Sequence, residues 1–359
     1  MDVLLGFLSP FIIYSIIFIL NALLPGRWVT GYATREGSDE KLRYRLNGLI
    51  VLGVSLLVWA SLCQYGIIGW DWLYQIRWYG LYGAITLGMI FSFVLVFQAP
   101  KVKDSFLADF FLGRYENPQL WGGRIDAKMW LYLIGAVLLE LNMLSFCAHH
   151  YMVYGTEASI GVFVCTGLDT YFVCDYLTFE EIHLYTYDLF AERVGFKLGW
   201  GCIAFYPYFY TIALWSTADL PDPGWSSVYY IIAICIFFTG WSLSRGANMQ
   251  KYFFKRDPKK VFLGIQPQSI TDGNKTLLVS GFWGLSRHIN YLGEVLMGTG
   301  IALSVGYPGT IWPWLYPLYY VVLLFPRQAD DDKRCAEKYG PLWDEYVERV
   351  PYRIIPYIY

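Results

Sequence analysis

Apolar runs of about 17 to 25 residues, the length a helix needs to cross a hydrocarbon core of roughly 30 Å, recur along nearly the whole chain. They lie near 4–24, 47–68, 78–98, 129–148, 158–177, 196–216, 226–244, 282–306 and 309–325. In lipid a spanning segment must satisfy its own backbone polar groups, so runs of this length fold as helices. The expected fold is therefore all-α: a polytopic integral membrane protein of about nine transmembrane helices. Composition agrees, with 56% hydrophobic, 19% aromatic and only 16% charged residues. The first run lacks the basic start and small-residue cleavage site of a signal peptide and reads as a retained span.

The connections between runs are unequal. Segments 25–46, 99–128 and 245–276 and the tail after 325 are rich in Lys and Arg, whereas 69–77, 149–157 and 217–225 hold almost none. The positive-inside rule then places the rich segments and the C-terminus in the cytoplasm and the first residue outside. The Asn274 sequon falls on the wrong side for glycosylation. Nothing in the net charge of −2 points to nucleic acid. Lys255 to Lys260 is a small basic cluster open to anionic lipid or phosphate, or simply a solvated loop.

Seven cysteines are scattered without a Cys-x-x-Cys or a Cys/His ligand spacing, so neither a disulfide framework nor a metal site is expected. His149 and His150 stand at a membrane end and read as an interfacial pair without chemistry. No glycine-rich nucleotide fingerprint is present, so any nucleotide must be held by helices and loops. There is no internal repeat, and one membrane domain accounts for 1–359, with N-terminal spans over 1–244 and a second half over 245–359.

Three features resist a purely structural reading. Asp169, Asp175, Glu180, Glu181 and Asp188 crowd "LDTYFVCDYLTFEEIHLYTYD", at or beside bilayer depth, where a carboxyl faces a polar cavity or stays protonated and so becomes a general acid. The tail "PRQADDDKRCAEKYGPLWDEYVERVPYRIIPYIY" is too polar to span and too aromatic to be disordered, so it should fold back onto the cytoplasmic face. On that same side, "SGFWGLSRHINYLGE" sets Arg287, His288 and Asn290 at a mouth suited to the phosphates of a soluble cofactor. These features alone fit an enzyme acting on a lipid and also a transporter.

The ordered motifs "LRYRLNG" (42–48), "DFFLGRYENP" (109–118), "CDYLTFEEIHLYTYD" (174–188), "RGANMQKYFFKRDP" (245–258), "LLVSGFWGLSRHINYLGE" (277–294) and "KYGPLWDEYVERVPYRIIPYIY" (338–359) resemble the membrane sterol reductases. The resemblance covers nearly the whole chain and is nearest the Δ14-reductase and lamin B receptor branch. It implies ten transmembrane helices, an NADPH pocket built by the C-terminal half with its folded tail, and a sterol pocket open to the bilayer. The sterol would enter from membrane lipid, in the endoplasmic reticulum of a eukaryote or the inner membrane of a bacterium. By similarity, Lys251, Arg256, Trp283, Arg287, His288, Asn290, Tyr291, Arg327, Asp331, Lys338, Tyr339, Tyr346 and Arg353 are candidate NADPH contacts, with Glu294 a structural partner one turn on. Glu180, Asp175 and Asp188 match family positions and are the candidate acids, Glu180 and Asp175 first.

The implied chemistry is protonation of a sterol alkene followed by hydride transfer from NADPH to the carbocation, at Δ14 or, in the alternative, Δ7 or Δ24. Two departures stand out. The family's "HRxxRD" is here "PRQADD", with Pro326 for a histidine and Asp330 for an arginine, and "ELRPG" is missing after Asp126 and Lys128. The ending also resembles isoprenylcysteine carboxyl methyltransferases, which bind S-adenosylmethionine, although the N-terminal motifs are absent from those smaller enzymes. A non-catalytic sterol-binding protein is the remaining alternative.

Overall fold

The computed structural model describes residues 2–35, 38–103 and 105–359 and is mostly helical. It divides into two compact units, Met1–Asp222 and Pro223–Tyr359. In the first unit, α1 (Asp2–Leu23) leads into an antiparallel hairpin, β1 (Arg27–Thr34) and β2 (Lys41–Leu46). Then come α2 (Gly48–Gln64), α3 (Arg77–Gln98), a two-residue strand pair β3 (Gln119–Leu120) and β4 (Ile125–Asp126), α4 (Ala127–Tyr154) and α5 (Ile160–Thr178). The second unit holds α6 (Ser227–Arg256), a small hairpin β5 (Ser269–Thr271) and β6 (Thr276–Leu278), α7 (Ile289–Ser304), α8 (Ile311–Tyr339) and α9 (Pro341–Arg349).

Five helices among the described residues (α1, α3, α4, α5 and α6) are long and apolar enough to cross a membrane, and α2 is apolar but shorter. Helix α4 is the centre of its unit: 78% of its apolar window is buried inside the protein, against 28% for α1, whose remaining surface is left for lipid. In the second unit α6 and α7 press together through glycines. A Cβ on Gly240 would lie 2.5 Å from the Gly293 carbonyl oxygen, so only glycine permits this approach.

The run at 196–216 is not one straight helix. It breaks into Phe196–Trp200, a π-helical turn Gly201–Phe205, Tyr206–Phe209 and Ile212–Thr217. Pro207 has no N–H to donate and its ring collides with the carbonyl four residues back, which a π turn accommodates. At 282–306 the long helix starts only at Ile289, after a separate turn Phe282–Leu285 and an extended Ser286. Helix α8, by contrast, runs through Pro317 and Pro326 well past the apolar stretch to Tyr339.

Several family-like motifs do local structural work. Arg45 and Asn47 of "LRYRLNG" close the end of α1: Arg45 Nη1 donates to the Leu24 carbonyl at 2.9 Å and Asn47 Nδ2 to the Asn21 and Leu24 carbonyls at 3.1 and 3.2 Å. These are the orphan acceptors every helix leaves at its C-terminus. In "DFFLGRYENP" the fully buried Asp109 accepts from the Val102 and Lys103 amides and, at 2.8 Å, from Arg114 Nε. Arg114 in turn caps α3 through the Val96 and Ala99 carbonyls.

Candidate functional site

In the second unit the tail folds back as expected, and the hinge of that return is a carboxylate the motif reading passed over. Asp332 accepts from Arg287 Nη2 at 3.2 Å, pairs with His288 Nε2 at 3.1 Å and takes Gln328 Nε2 at 2.8 Å, with Arg353 Nε 3.7 Å away. Burial alone would raise its pKa, but the His288 and Arg287 hydrogen bonds and charges outweigh it and hold the carboxyl below its usual value. Arg287 spends its other terminal donor on the Val350 and Pro351 carbonyls at 3.0 and 2.9 Å. The Arg287 and His288 amides donate to the Tyr352 and Arg353 carbonyls. The two residues assigned to phosphate therefore pin the tail. Arg353 also approaches Tyr359, donating to its hydroxyl at 3.3 Å.

Around this knot lie the other candidates. Tyr291 donates to Asp331 Oδ2 at 2.5 Å, and its ring stacks on His288. Arg327 stands one turn before Asp331 on the uninterrupted α8, so the two share a helix face. Trp283 Nε1 donates to the Ala247 carbonyl at 2.8 Å, its own carbonyl receives Tyr346 Oη at 3.1 Å, and the Lys251 ammonium sits 5.2 Å from its ring centre. Arg256 lies against Tyr252, Lys338 over the Tyr339 ring at 5.2 Å, and Lys255 donates to Tyr339 Oη at 3.4 Å. Ser244 donates to Glu294 at 2.5 Å, a structural partnership between α6 and α7.

This set suits a dinucleotide. Basic groups and aromatic faces stand together, and Asn290 Oδ1 and Arg287 Nε are shut off from solvent with no hydrogen-bond partner among the described residues. An unsatisfied buried acceptor beside cations is what an amide or hydroxyl of a ligand completes.

The candidate acids lie in the first unit. Glu180 follows α5, is 7% exposed, and accepts from the Gly48 amide at 3.0 Å. A Cβ at Gly48 would fall 2.6 Å from Glu180 Oε1, so a larger residue there would displace the carboxyl. Burial pushes the Glu180 carboxyl up to about 7, against the smaller opposing pulls of the Gly48 amide and Arg27. Arg27 itself pairs with the neighbouring Glu181 at 2.6 Å. Asp175 is half-buried in the last turns of α5, and Asp188 half-buried in the turn Tyr187–Phe190. Lys128, fully buried, ties that turn to α4 by donating to the Leu189 carbonyl at 2.9 Å.

Of the buried carboxyls in this unit, Asp169 was read in the sequence and Glu140 was not. Glu140 on α4 and Asp169 on α5 are both almost wholly buried, Glu140 Oε1 accepting from Thr170 at 2.8 Å. His149, expected to be inert, instead lies between two carboxylates, Asp71 at 3.2 Å and Asp219 at 3.0 Å, and stacks on Tyr74. The acids come from the connections 69–77 and 217–225, distant in sequence, which is why the pair looked isolated.

The model of the ergosterol biosynthesis ERG4/ERG24 family matches residues 6–359. The Delta(14)-sterol reductase of Arabidopsis thaliana is 30% identical, with all of both chains covered. That of Methylotuvimicrobium alcaliphilum is 31% identical over 95% of this chain and 80% of its own length. The Delta(14)-sterol reductase TM7SF2 of Mus musculus is 34% identical over 94% of this chain and 82% of its own. With a match from residue 6 to the last residue, through the same motifs whose hydrogen bonds cap α1 and α3 and pin the tail, the chain belongs to the ergosterol biosynthesis ERG4/ERG24 family.

Proposed function

We propose that this chain reduces a carbon–carbon double bond of a sterol, Δ14 in the first place, with NADPH as reductant. The observation that carries the reading is full-length similarity to relatives named Delta(14)-sterol reductase. NADPH, when bound, supplies the hydride. Arg327, Lys251, Arg256 and Lys338 are the cations for its phosphates, Trp283, Tyr339 and Tyr346 the faces for its rings, and Asn290 Oδ1 the acceptor for an amide or hydroxyl. Arg287 and His288 serve by holding the tail through Asp332, and Tyr291 by orienting Asp331.

An isolated alkene takes hydride only after a proton has been added. Protonation of a Δ8,14-diene at carbon 15 leaves an allylic cation at carbon 14, delocalised through carbon 8 onto carbon 9. Glu180 is the first-choice donor: it is buried, and with its pKa near 7 it keeps its proton at a pH where an ordinary carboxyl has lost it. Asp175 and Asp188 are the alternatives. Aromatic faces stabilise the cation and exclude water. The sterol enters from the bilayer, as the family resemblance implies, and by the positive-inside reading the C-terminus faces the cytoplasm.

The family match extends through the N-terminal half that the methyltransferase reading leaves unexplained. The test is to incubate purified protein with Δ8,14, Δ7 and Δ24 sterols and NADPH, and to follow products by mass spectrometry. Loss of the Δ14 bond is expected. Sterol binding without turnover of any substrate would favour the non-catalytic alternative, and transfer of a methyl group from S-adenosylmethionine the methyltransferase.

A further inference from the structure

The β1–β2 hairpin and the segment 115–123 enclose a hollow of about 560 Å³ in the first unit. Strand β2 alternates: Leu42, Tyr44 and Leu46 point into packing against Met129, Leu184 and Leu189, so Lys41 and Arg43 are left on the open face. The Arg43 guanidinium lies over the Trp28 ring at 5.6 Å, which steadies it beside the hollow. Glu40 on the rim is engaged by Arg35 at 3.4 Å, so Lys41 and Arg43 are the cations left over, with no carboxylate partner among the described residues. Asn117 stands on the opposite wall, its side-chain oxygen closed to solvent.

We infer that this hollow holds the headgroup of an anionic membrane phospholipid, its phosphate on Lys41 and Arg43. Two cations without a carboxylate partner among the described residues call for an anion. The position favours a lipid over a soluble phosphate. The hairpin starts four residues beyond the end of α1, and Arg124 Nε, next to the loop wall, donates at 2.8 Å to the Ala22 carbonyl in the last turn of that span. Trp28 and Trp121 stand exposed beside it, as tryptophans do at headgroup depth. Anionic lipid is concentrated on the leaflet where basic connections such as this one lie.

The test uses the full chain in nanodiscs that mix phosphatidylcholine with phosphatidylglycerol or phosphatidylinositol, extracted gently and weighed by native mass spectrometry. Wild type should keep one anionic lipid in preference to phosphatidylcholine. Lys41→Gln/Arg43→Gln should retain about ten- to hundredfold less of it, the loss expected for removing charge-assisted bonds. Both changed side chains are exposed, and an unchanged unfolding temperature checks that the variant is folded. Equal retention of neutral and anionic lipid by wild type, or undiminished retention by the double variant, would overturn the site. Displacement of the lipid by millimolar glycerol phosphate would overturn its assignment to a membrane lipid in favour of a soluble phosphate.

Discussion

Replacing Asp332 by alanine should release the tail. The carboxylate has four donors around it, and the nearest cation, Arg287, is 4% exposed at its side chain. Removing one partner of such a buried pair leaves an uncompensated charge and costs about 3–5 kcal/mol. Asp332→Asn keeps the shape and one acceptor and should cost less, because neutral bonds are about half as strong as charge-assisted ones. The pH dependence has a definite sign. The folded-state pKa lies below the unfolded value of about 3.9, so the stabilisation is fully present above that value and is lost as pH falls through the lower folded one. The gap between wild type and variant should therefore be constant down to about pH 4 and close below it. Thermal unfolding reads the global loss, and hydrogen exchange reads the local one at the Arg287 and His288 amides, which donate to the Tyr352 and Arg353 carbonyls. A loss under about 0.5 kcal/mol with unchanged exchange at both amides would refute the reasoning.

Glu180→Gln should lower turnover by about 10²-fold or more without weakening NADPH, and wild-type turnover should fall as pH rises through about 7 while any residual activity of the variant stays flat. Gly48→Ala forces a methyl against Glu180 and should destabilise the protein by about 1–3 kcal/mol while moving that pH profile; an unaltered profile would separate Glu180 from the pH dependence. Calorimetric titration of NADPH should show Arg327→Ala about ten- to a hundredfold weaker, Arg327→Lys only partly rescued and Asp331→Ala also weakened, whereas wild-type affinity in all three would place the phosphates elsewhere. A membrane-impermeant thiol reagent should reach Cys335 only in opened or inverted vesicles, and slowly, because burial and then Asp331 push its thiol up to about 11; labelling on intact cells would reverse the orientation.

Hydrophobic runs located the helices because a bilayer leaves few other solutions, and the polar tail announced that it folds back. What escaped was whatever depends on residues far apart in the chain. Arg287 and His288 were legible as polar groups at a cofactor mouth, yet their partner Asp332 lies 45 and 44 residues away, behind the more conspicuous Asp331. The break at Pro207 went unread in the run 196–216; the π turn there leads into Tyr206, which packs so close to α4 that a Cβ on Gly135 would meet its ring at 2.4 Å. Glu180 was named as an acid from its setting among apolar residues. That its carboxyl accepts from the Gly48 amide, 132 residues earlier, required the fold.

The central claim is that a proton from the protein and a hydride from NADPH add across the Δ14 bond. It is tested most directly by running the purified chain on a Δ8,14-sterol twice, once with NADPH deuterated at the transferring position and once in heavy water, and locating the label by mass spectrometry and NMR. The account predicts one deuterium at carbon 14 in the first experiment and one at carbon 15 in the second. Label from the cofactor at carbon 15, or no label from heavy water, would contradict it.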